Sequence, residues 1–162
     1  RFMIVASLVA LGACAKKPKP EDLPPAPTTS EQTVDPNAGK PVPGSQEDFV
    51  ASVSADRVFF DTDKFDIDAE DQATLRSQSE WLARYQQVRV TVEGHADERG
   101  TRDYNIALGE RRANAAKNYL ASLGVDPGRI TTISYGKERP DAVGSDESAW
   151  ARNRRAVTVT VR

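Results

Sequence analysis

The sequence predicts an α+β domain whose helices pack on one face of a small mixed sheet, preceded by a disordered tether. From about residue 46 onward, segments with the two-residue alternation of strands are interleaved with segments that have the three- and four-residue spacing of helices. Eight of the ten prolines come before Gly44, in a stretch with little apolar surface to bury. The predicted element order is therefore β-α-β-α-β-(α)-β, following a semi-stiff, extended tether.

The first half of the domain is predicted to hold two strands and one helix. The first strand covers residues 57–61, and a polar loop follows it. Asp68 is a residue type that caps helix N-termini, so the first helix is expected to start after it and to run to about Tyr85. Residues 88–93 alternate strictly between apolar and polar side chains, which predicts a half-buried second strand that ends at Gly94.

The second half begins with the longest predicted helix, over residues 102–123. Apolar and small residues recur along it at spacings of three and four, which predicts a core-facing stripe of Ile106, Gly109, Ala113, Ala116, Leu120 and Leu123. Gly124 is typical of a C-terminal cap. A third strand at residues 129–136, a short helix at 146–152 and a final strand at 157–161 complete the prediction.

The totals exclude several classes of function. The 162 residues carry 22 Lys and Arg against 24 Asp and Glu, a net charge of -2, so no field of one sign favours nucleic acid. A single Cys excludes an intrachain disulfide, and a single His excludes a multi-histidine metal site. No cofactor, metal ion or catalytic residue is predicted.

The start of the chain resembles the leader of a bacterial lipoprotein. Residues 2–13 form an apolar run that is too short to span a bilayer but fits the apolar region of a secretory signal. Residues 11–14 resemble a lipobox, which would make Cys14 the site of N-palmitoyl and S-diacylglycerol modification. An ordinary signal peptide followed by a chance Cys is the alternative. By the same resemblance, Ala15 in place of Asp favours the outer membrane.

Three segments are therefore predicted. Residues 1–13 are a signal peptide that is truncated at its start. Residues 14–45 are the lipidated Cys and the proline-rich linker, and residues 46–162 are the folded domain.

The turn after the second strand is the predicted ligand site. It gathers charged side chains at the strand's carboxyl end, where α/β layers usually bind ligands, namely Asp97, Glu98, Arg99 and Arg102. Asn105, Leu108 and Arg112 share one face of the following helix, so Arg112 can face Asp97. A carboxylate and a guanidinium at two ends of one pocket suit a zwitterion. The alternative is that Asp97 and Arg112 pair with each other or lie in solvent.

Four separated motifs resemble the outer-membrane protein A-type (OmpA-like) peptidoglycan-binding domain. They are residues 94–97 (GHAD), 104–113 (YNIALGERRA), 134–136 (SYG) and 153–157 (NRRAV). The resemblance covers the chain from Phe59 to Val161. It implies the OmpA-like fold and noncovalent binding of the peptide stem of the cell wall through meso-diaminopimelate.

The resemblance also implies which residues bind. Asp97 matches the acid that takes the ligand's ammonium group, and Arg112 matches the arginine that takes its carboxylate. Six further positions match lining or supporting residues, of which the second and third contribute backbone groups: Asp63, His95, Ala96, Arg99, Asn105 and Leu108. The family more often has Thr where Ala96 stands.

The implied role is a tether between the outer membrane and peptidoglycan. The implied partners are peptidoglycan, the outer membrane through the lipid anchor, and the periplasmic protein TolB with the Tol complex, which serves envelope integrity and cell division. One alternative is a periplasmic hydrolase that uses His95 with Asp97 or Glu98, although no nucleophile motif or zinc-binding helix signature supports it. A stator- or porin-linked wall-binding module is another alternative, against which the short apolar run ending at Cys14 argues.

Other polar and aromatic residues are interpreted without function. The acids at Asp61, Asp63, Asp66 and Asp68 lack the order and the mid-loop Gly of an EF-hand, so they are expected in a solvated loop with one ligand-binding acid. Arg154 and Arg155 are predicted to pair with nearby acids, and contact with the ligand is the alternative. Trp81 and Trp150 are predicted to be packing residues.

Overall fold

The computed structural model describes residues 39–161. The predicted signal peptide, Cys14 and most of the predicted linker lie outside the described residues. Within residues 39–161 the elements are α1 (Gln46–Ser52), β1 (Arg57–Phe59), α2 (Ala69–Arg84), β2 (Arg89–His95), α3 (Arg102–Ser122), a 3₁₀ helix (Pro127–Arg129), β3 (Ile130–Gly136), α4 (Glu147–Asn153) and β4 (Arg155–Val161). None of the helices in this range is long and apolar enough to cross a membrane.

Four strands form a mixed sheet in the order β1-β4-β2-β3. β2 and β3 are parallel, with Val90 opposite Ile130, whereas β4 runs antiparallel to both β1 and β2. The last strand of the chain is therefore inserted between the first two, and β2 is central. This arrangement confirms the predicted α+β fold with a small mixed sheet.

The predicted elements are all present, with shifted ends, and one helix was missed. α1 begins at Ser45, whose side chain accepts a hydrogen bond from the Asp48 backbone, and its Phe49 is fully buried against Trp81 with ring centroids 5.0 Å apart. Within so short a helix, one buried aromatic residue gives no periodic signal. β4 starts at Arg155 rather than Val157, because the two preceding residues continue its pairing with β1 and β2.

Helix ends follow their local sequence. Asp68 caps α2 as predicted, since its carboxylate accepts from the backbone N–H groups of Glu70 and Asp71. Gly124 follows α3 with a φ of +95°, a left-handed conformation that favours glycine, and its N–H donates to Ala121. Leu123, predicted for the core stripe, is exposed instead and lies just past the end of α3, as its C-cap.

Two glycines let α3 lie directly on β2. A Cβ added at Gly94 would overlap the backbone carbonyl oxygen of Gly109, and one added at Gly109 would overlap the hydroxyl of Ser134. Ser134 donates that hydroxyl to the carbonyl of Ile106, also on α3. The contact fixes the height of α3 above the sheet next to the carboxyl end of β2.

We expect Gly94→Ala to destabilise the domain by about 3 kcal/mol, because the methyl group forces apart two packed backbones. Urea denaturation measures this change. Gly128→Ala is the matched control, since the nearest atom to its added Cβ belongs to the side chain of Asp126, and it should cost less than about 1 kcal/mol. Equal losses in the two variants would contradict the proposed contact.

Candidate functional site

The turn between β2 and α3, residues 96–101, is held rigidly against the domain. Lys137 donates its ammonium group to the carbonyls of Glu98 (3.1 Å) and Gly100 (2.6 Å), and the Asn105 amide donates to the carbonyl of Arg99 at 2.7 Å. Gly100 has a φ of +85°, which lets the chain reverse into the helix. The side chains of this turn are therefore preorganised.

This turn, the loop after β1 and the first three turns of α3 enclose a cleft of about 480 Å³. Its lining is Thr62, Asp63, Ala96, Asp97, Arg99, Gly100, Thr101, Tyr104, Asn105, Leu108 and Arg112. Seven of the eight ligand-contacting positions predicted from the sequence line it, and His95 is the exception. Thr62, Gly100, Thr101 and Tyr104 were missed, because each lies beside a predicted residue without a chemical signature of its own.

A second cavity of about 440 Å³ lies against the other side of the loop after β1. It is lined by Phe59, Phe60, Asp61, Lys64, Asp66, Asp68, Ala151, Arg152 and Arg154. Its acids are exposed, and Lys64 and Asp61 pair with each other at 2.9 Å. The first cleft is the better candidate because it contains both a buried carboxylate, Asp97, and a buried guanidinium, Arg112, and buried charges need specific partners.

Asp97 is the buried acid of the cleft. Its Oδ1 accepts from the backbone N–H (3.1 Å) and the Nε (3.0 Å) of Arg99, and its Oδ2 accepts from Nη2 of the same residue at 2.7 Å. The Nη1 of Arg154 lies 3.6 Å from Oδ2. Burial works to raise the pKa of this carboxyl, but the hydrogen bonds from Arg99 and the nearby charge of Arg154 together hold the pKa below its ordinary value. Asp97 is therefore a carboxylate at neutral pH.

Arg112 forms the floor of the cleft and is fully buried. Its Nε donates to the carbonyl of Lys64 (2.9 Å), its Nη1 to that of His95 (2.8 Å) and its Nη2 to that of Asp61 (3.0 Å). Burial, and then the charge of Arg154, lower the pKa of Arg112 to about 10, so it stays a cation at neutral pH. The side chain thus does two things: it places a positive charge beneath the cleft, and it joins the loop after β1 to the end of β2.

The two alternatives for Asp97 and Arg112 are both wrong. Arg112 is not in solvent, and the ion pairs of Asp97 within residues 39–161 are with Arg99 and Arg154 rather than with Arg112. The two groups line the same cleft as predicted. The guanidinium of Arg112, however, already donates hydrogen bonds to backbone carbonyls from all three of its nitrogens.

Arg99 forms part of the cleft wall and contacts three side chains. Besides its fork on Asp97, its guanidinium lies 4.1 Å from the centroid of the Trp150 ring, and its Nη2 donates to the Thr62 hydroxyl at 3.3 Å. The Trp150 indole N–H in turn donates to Glu98 at 3.1 Å. Trp150 therefore supports the cleft wall through Arg99, which goes beyond the packing role predicted for it. Trp81 is a core residue, as predicted.

The rim of the cleft carries an acid with an unusual backbone. Asp63 has a φ of +58°, the one non-glycine residue with positive φ within the described part of the chain. Its carboxylate accepts from the hydroxyl of Tyr104 at 2.9 Å, which ties the loop to α3. Both side chains are exposed, so they are available to a ligand that enters the cleft. Within residues 39–161 no group of acids and histidines is arranged to hold a metal ion.

The two arginines at the start of β4, Arg154 just before it and Arg155 as its first residue, have different partners. Arg154 pairs with Glu147 at 2.6 Å and donates its Nε to the Phe60 carbonyl, so its predicted pairing with an acid is confirmed. The same prediction is wrong for Arg155. Its nitrogens donate to the carbonyls of Asn153 and Arg139, and burial lowers its pKa. The last residue of α4 and the segment after β3 supply carbonyls where acids were expected.

His95 contributes its backbone, while its ring is turned away from the cleft lining. Its carbonyl accepts from Arg112, and its imidazole is buried with the ring centroid 5.6 Å from that of Tyr135. Burial, and next the charges of Arg155 and Arg139, lower the pKa of His95 to about 4. The ring is therefore neutral at physiological pH. Ala96 likewise uses its N–H internally, donating to Gly136 at 2.8 Å.

Two buried groups give folding stability opposite pH dependences. The pKa of His95 falls to about 4, below its ordinary 6.5, so the unfolded chain binds more protons between these values and acidification destabilises the domain by up to about 3 kcal/mol. Asp71 accepts from the Phe59 backbone at 3.1 Å, and burial raises its pKa to about 6. The folded state therefore binds more protons between pH 3.8 and 6, and Asp71 opposes the effect of His95 in that window.

Asp71→Asn removes the group that opposes the effect of His95. We therefore expect the stability of this variant to fall more steeply between pH 6.5 and 4 than that of the wild type. His95→Gln should do the reverse and gain stability as pH falls from 6 to 4. Urea denaturation at four pH values measures both slopes, and each variant serves as the control for the other. Parallel pH profiles for the wild type and both variants would contradict these assignments.

Comparison with known proteins places the chain among OmpA-type proteins. The model of the OmpA family matches residues 59–154. The peptidoglycan-associated lipoprotein of Rhizobium meliloti is 51% identical over 156 residues, which cover 96% of this chain and 84% of that protein. The protein of the same name from Agrobacterium fabrum is 52% identical over 151 residues, 93% of this chain and 81% of that one.

Solved structures agree with these relatives. The crystal structure of the peptidoglycan-associated lipoprotein from Burkholderia pseudomallei is similar with a TM-score of 0.65 and 39% identity, over 70% of this chain and 93% of that one. The C-terminal domain of Helicobacter pylori MotB has a TM-score of 0.62 at 19% identity, over 67% of this chain and 86% of that one. At that identity, the likeness to MotB concerns the fold alone.

Proposed function

We propose that this chain, which belongs to the OmpA family together with the peptidoglycan-associated lipoproteins, binds peptidoglycan noncovalently through the diaminopimelate of its stem peptides. The observation that carries the proposal is the cleft itself. A buried carboxylate at Asp97 and a buried guanidinium at Arg112 line one space of about 480 Å³. This space admits the free end of meso-diaminopimelate, which bears an ammonium and a carboxylate on one carbon.

Each group of the ligand has a counterpart. The ammonium group is placed at Asp97, which stays ionised at neutral pH. The carboxylate is drawn to the positive charge of Arg112, whose terminal nitrogens each have a second N–H beyond the one given to a carbonyl. The methylene stem lies along Leu108 and Ala96, and Asp63 and Asn105 border the site. Ala96 offers no hydroxyl, so the ligand gains no side-chain hydrogen bond there.

We propose further that Cys14 is lipidated and holds the domain at the outer membrane. The names of the relatives and the lipobox-like residues 11–14 support this proposal. A fixed anchor, a proline-rich linker and a wall with many copies of one ligand raise the effective concentration, so each domain can bind modestly while the population joins the two layers. The mass of the mature protein tests the anchor, since three acyl chains add a mass that an unmodified Cys14 lacks.

The Tol complex is the proposed protein partner, with TolB meeting the same surface as the wall peptide. The support for this partner is the family resemblance of the motifs around the cleft. Co-precipitation of TolB with the full chain tests it, in the presence and absence of soluble stem peptide. Undiminished capture at saturating peptide would place TolB elsewhere.

Sedimentation with purified, protein-free peptidoglycan tests the central proposal. The full chain should pellet with the wall material, and a soluble diaminopimelate-containing stem peptide should release it into the supernatant. If the peptide does not release the chain from the wall material, binding through diaminopimelate is contradicted.

The same incubation tests the alternative of a hydrolase, which would release soluble wall fragments. The low pKa and burial of His95 disfavour it as a catalytic base.

A further inference from the structure

Arg99 already occupies the position where the ligand's ammonium group is placed. Its backbone N–H and its Nε and Nη2 supply three hydrogen bonds to the two carboxylate oxygens of Asp97, at 2.7 to 3.1 Å. This two-pronged geometry is the strongest that an arginine makes with a carboxylate. An incoming cation therefore competes with a cation of the protein itself.

We propose that binding is an exchange of ion pairs, in which the ligand's ammonium replaces the Arg99 guanidinium on Asp97 and the ligand's carboxylate, which also faces the fixed charge of Arg112, pairs with the released guanidinium. This inference rests on the proposed function and assigns Arg99 as the residue that determines specificity. A ligand with both charges replaces one internal pair by two new pairs. A ligand with an ammonium group alone leaves Arg99 without an anion.

The surroundings of Arg99 allow the exchange. Its side chain is 40% exposed, against 9% for that of Asp97, so the guanidinium can rotate toward solvent, where water hydrates it. The flat face of Trp150 lies 4.1 Å away and can hold the guanidinium in more than one in-plane orientation. The turn beneath it does not need to move, because Lys137 and Asn105 hold its carbonyls.

The other two arginines near Asp97 are not suited to leave it. Arg154 is buried, and its Nε and Nη2 are committed to Phe60 and Glu147. Arg112 is fully buried and holds three backbone carbonyls. Arg99 is thus the guanidinium of the cleft wall that can follow a ligand's carboxylate, while Arg112 stays fixed as the charge of the floor.

The test compares two peptides that differ in one carboxylate. L-Ala-γ-D-Glu-meso-diaminopimelate carries a carboxylate beside its terminal ammonium group, and the same peptide with L-lysine does not. We expect the wild-type chain to bind the first at least about tenfold more tightly than the second, as measured by calorimetric titration. Arg99→Gln should lower the ratio several-fold, because the diaminopimelate peptide binds more weakly when its carboxylate faces Arg112 alone, while the lysine peptide binds as well as before or better.

Arg102→Gln is the matched control. Arg102 lies three residues further on, is 69% exposed, pairs with Glu138 and is not among the residues that line the cleft. Its removal should leave the ratio at the wild-type value. If Arg99→Gln does not fold, Arg99→Lys keeps the charge without the fork and should still lower the ratio several-fold.

The outcomes separate this inference from the proposed function. A wild-type chain that binds the diaminopimelate peptide, with a ratio that Arg99→Gln leaves unchanged, overturns the exchange and leaves the proposed function standing. A wild-type chain that binds neither peptide overturns both. A ratio that falls several-fold in Arg99→Gln and persists in Arg102→Gln supports the exchange, because loss of a merely structural contact would weaken both peptides alike.

Discussion

The Asp97→Asn variant is expected not to be retained on purified peptidoglycan. Its affinity for the diaminopimelate peptide should fall roughly 100-fold, a loss of about 3 kcal/mol in binding free energy. The substitution keeps the shape of the side chain but removes the charge that is placed against the ligand's ammonium group. An amide in this position would also direct N–H groups toward the guanidinium groups of Arg99 and Arg154, which lie 2.7 and 3.6 Å from Oδ2. Sedimentation with wall material and peptide titration both measure the loss.

The fold should survive this change. Arg99 is partly exposed and can turn to water, while Arg154 keeps its ion pair with Glu147. Asp103→Asn is the matched control, since Asp103 is exposed in the first turn of α3 and is not among the residues that line the cleft. It should bind as the wild type does. Equal binding by the Asp97 and Asp103 variants would remove Asp97 from the site.

The helices and strands with a periodic pattern of buried residues could be predicted from the sequence. β2 alternates and α3 has a stripe of small and apolar residues, because each buries one face against the other, and the burial repeats at the period of the element. α1 could not be predicted in this way. Its stability depends on Phe49 meeting Trp81, a residue 32 positions away on another helix.

For the site, too, some features could be predicted from the sequence and others could not. Its membership could be predicted, since seven of the eight residues implied by the family resemblance line one cleft. The partners of Arg112 and the second arginine beside Asp97 could not, because they come from distant segments. Arg112 binds carbonyls of Asp61 and Lys64, and the ion pair of Arg154 with Asp97 joins the residue before β4 to the turn after β2. Backbone carbonyls have no sequence signature, so nothing in the pattern distinguishes an arginine that binds them from one that awaits a ligand.

The pair Arg111 and Arg112 makes this distinction measurable. Arg112→Met should destabilise the domain by about 4 kcal/mol, because the carbonyls of Asp61, Lys64 and His95 each lose a buried donor. Arg111 is adjacent in sequence but exposed, with its guanidinium 5.9 Å from the Phe65 ring, so Arg111→Met should change stability by no more than about 0.5 kcal/mol. Urea denaturation measures both values.

Arg112→Lys distinguishes the structural role of Arg112 from its role in binding. Lysine keeps the charge, but its ammonium group is too compact to reach all three carbonyls. We therefore expect the stability of Arg112→Lys to lie between those of the wild type and Arg112→Met. Its binding of the diaminopimelate peptide should still fall, because the loop that carries Asp63 is no longer joined to the end of β2. A chain with Arg112→Met that unfolds at the wild-type urea concentration would show that these carbonyls find other donors, and would contradict the structural role of Arg112.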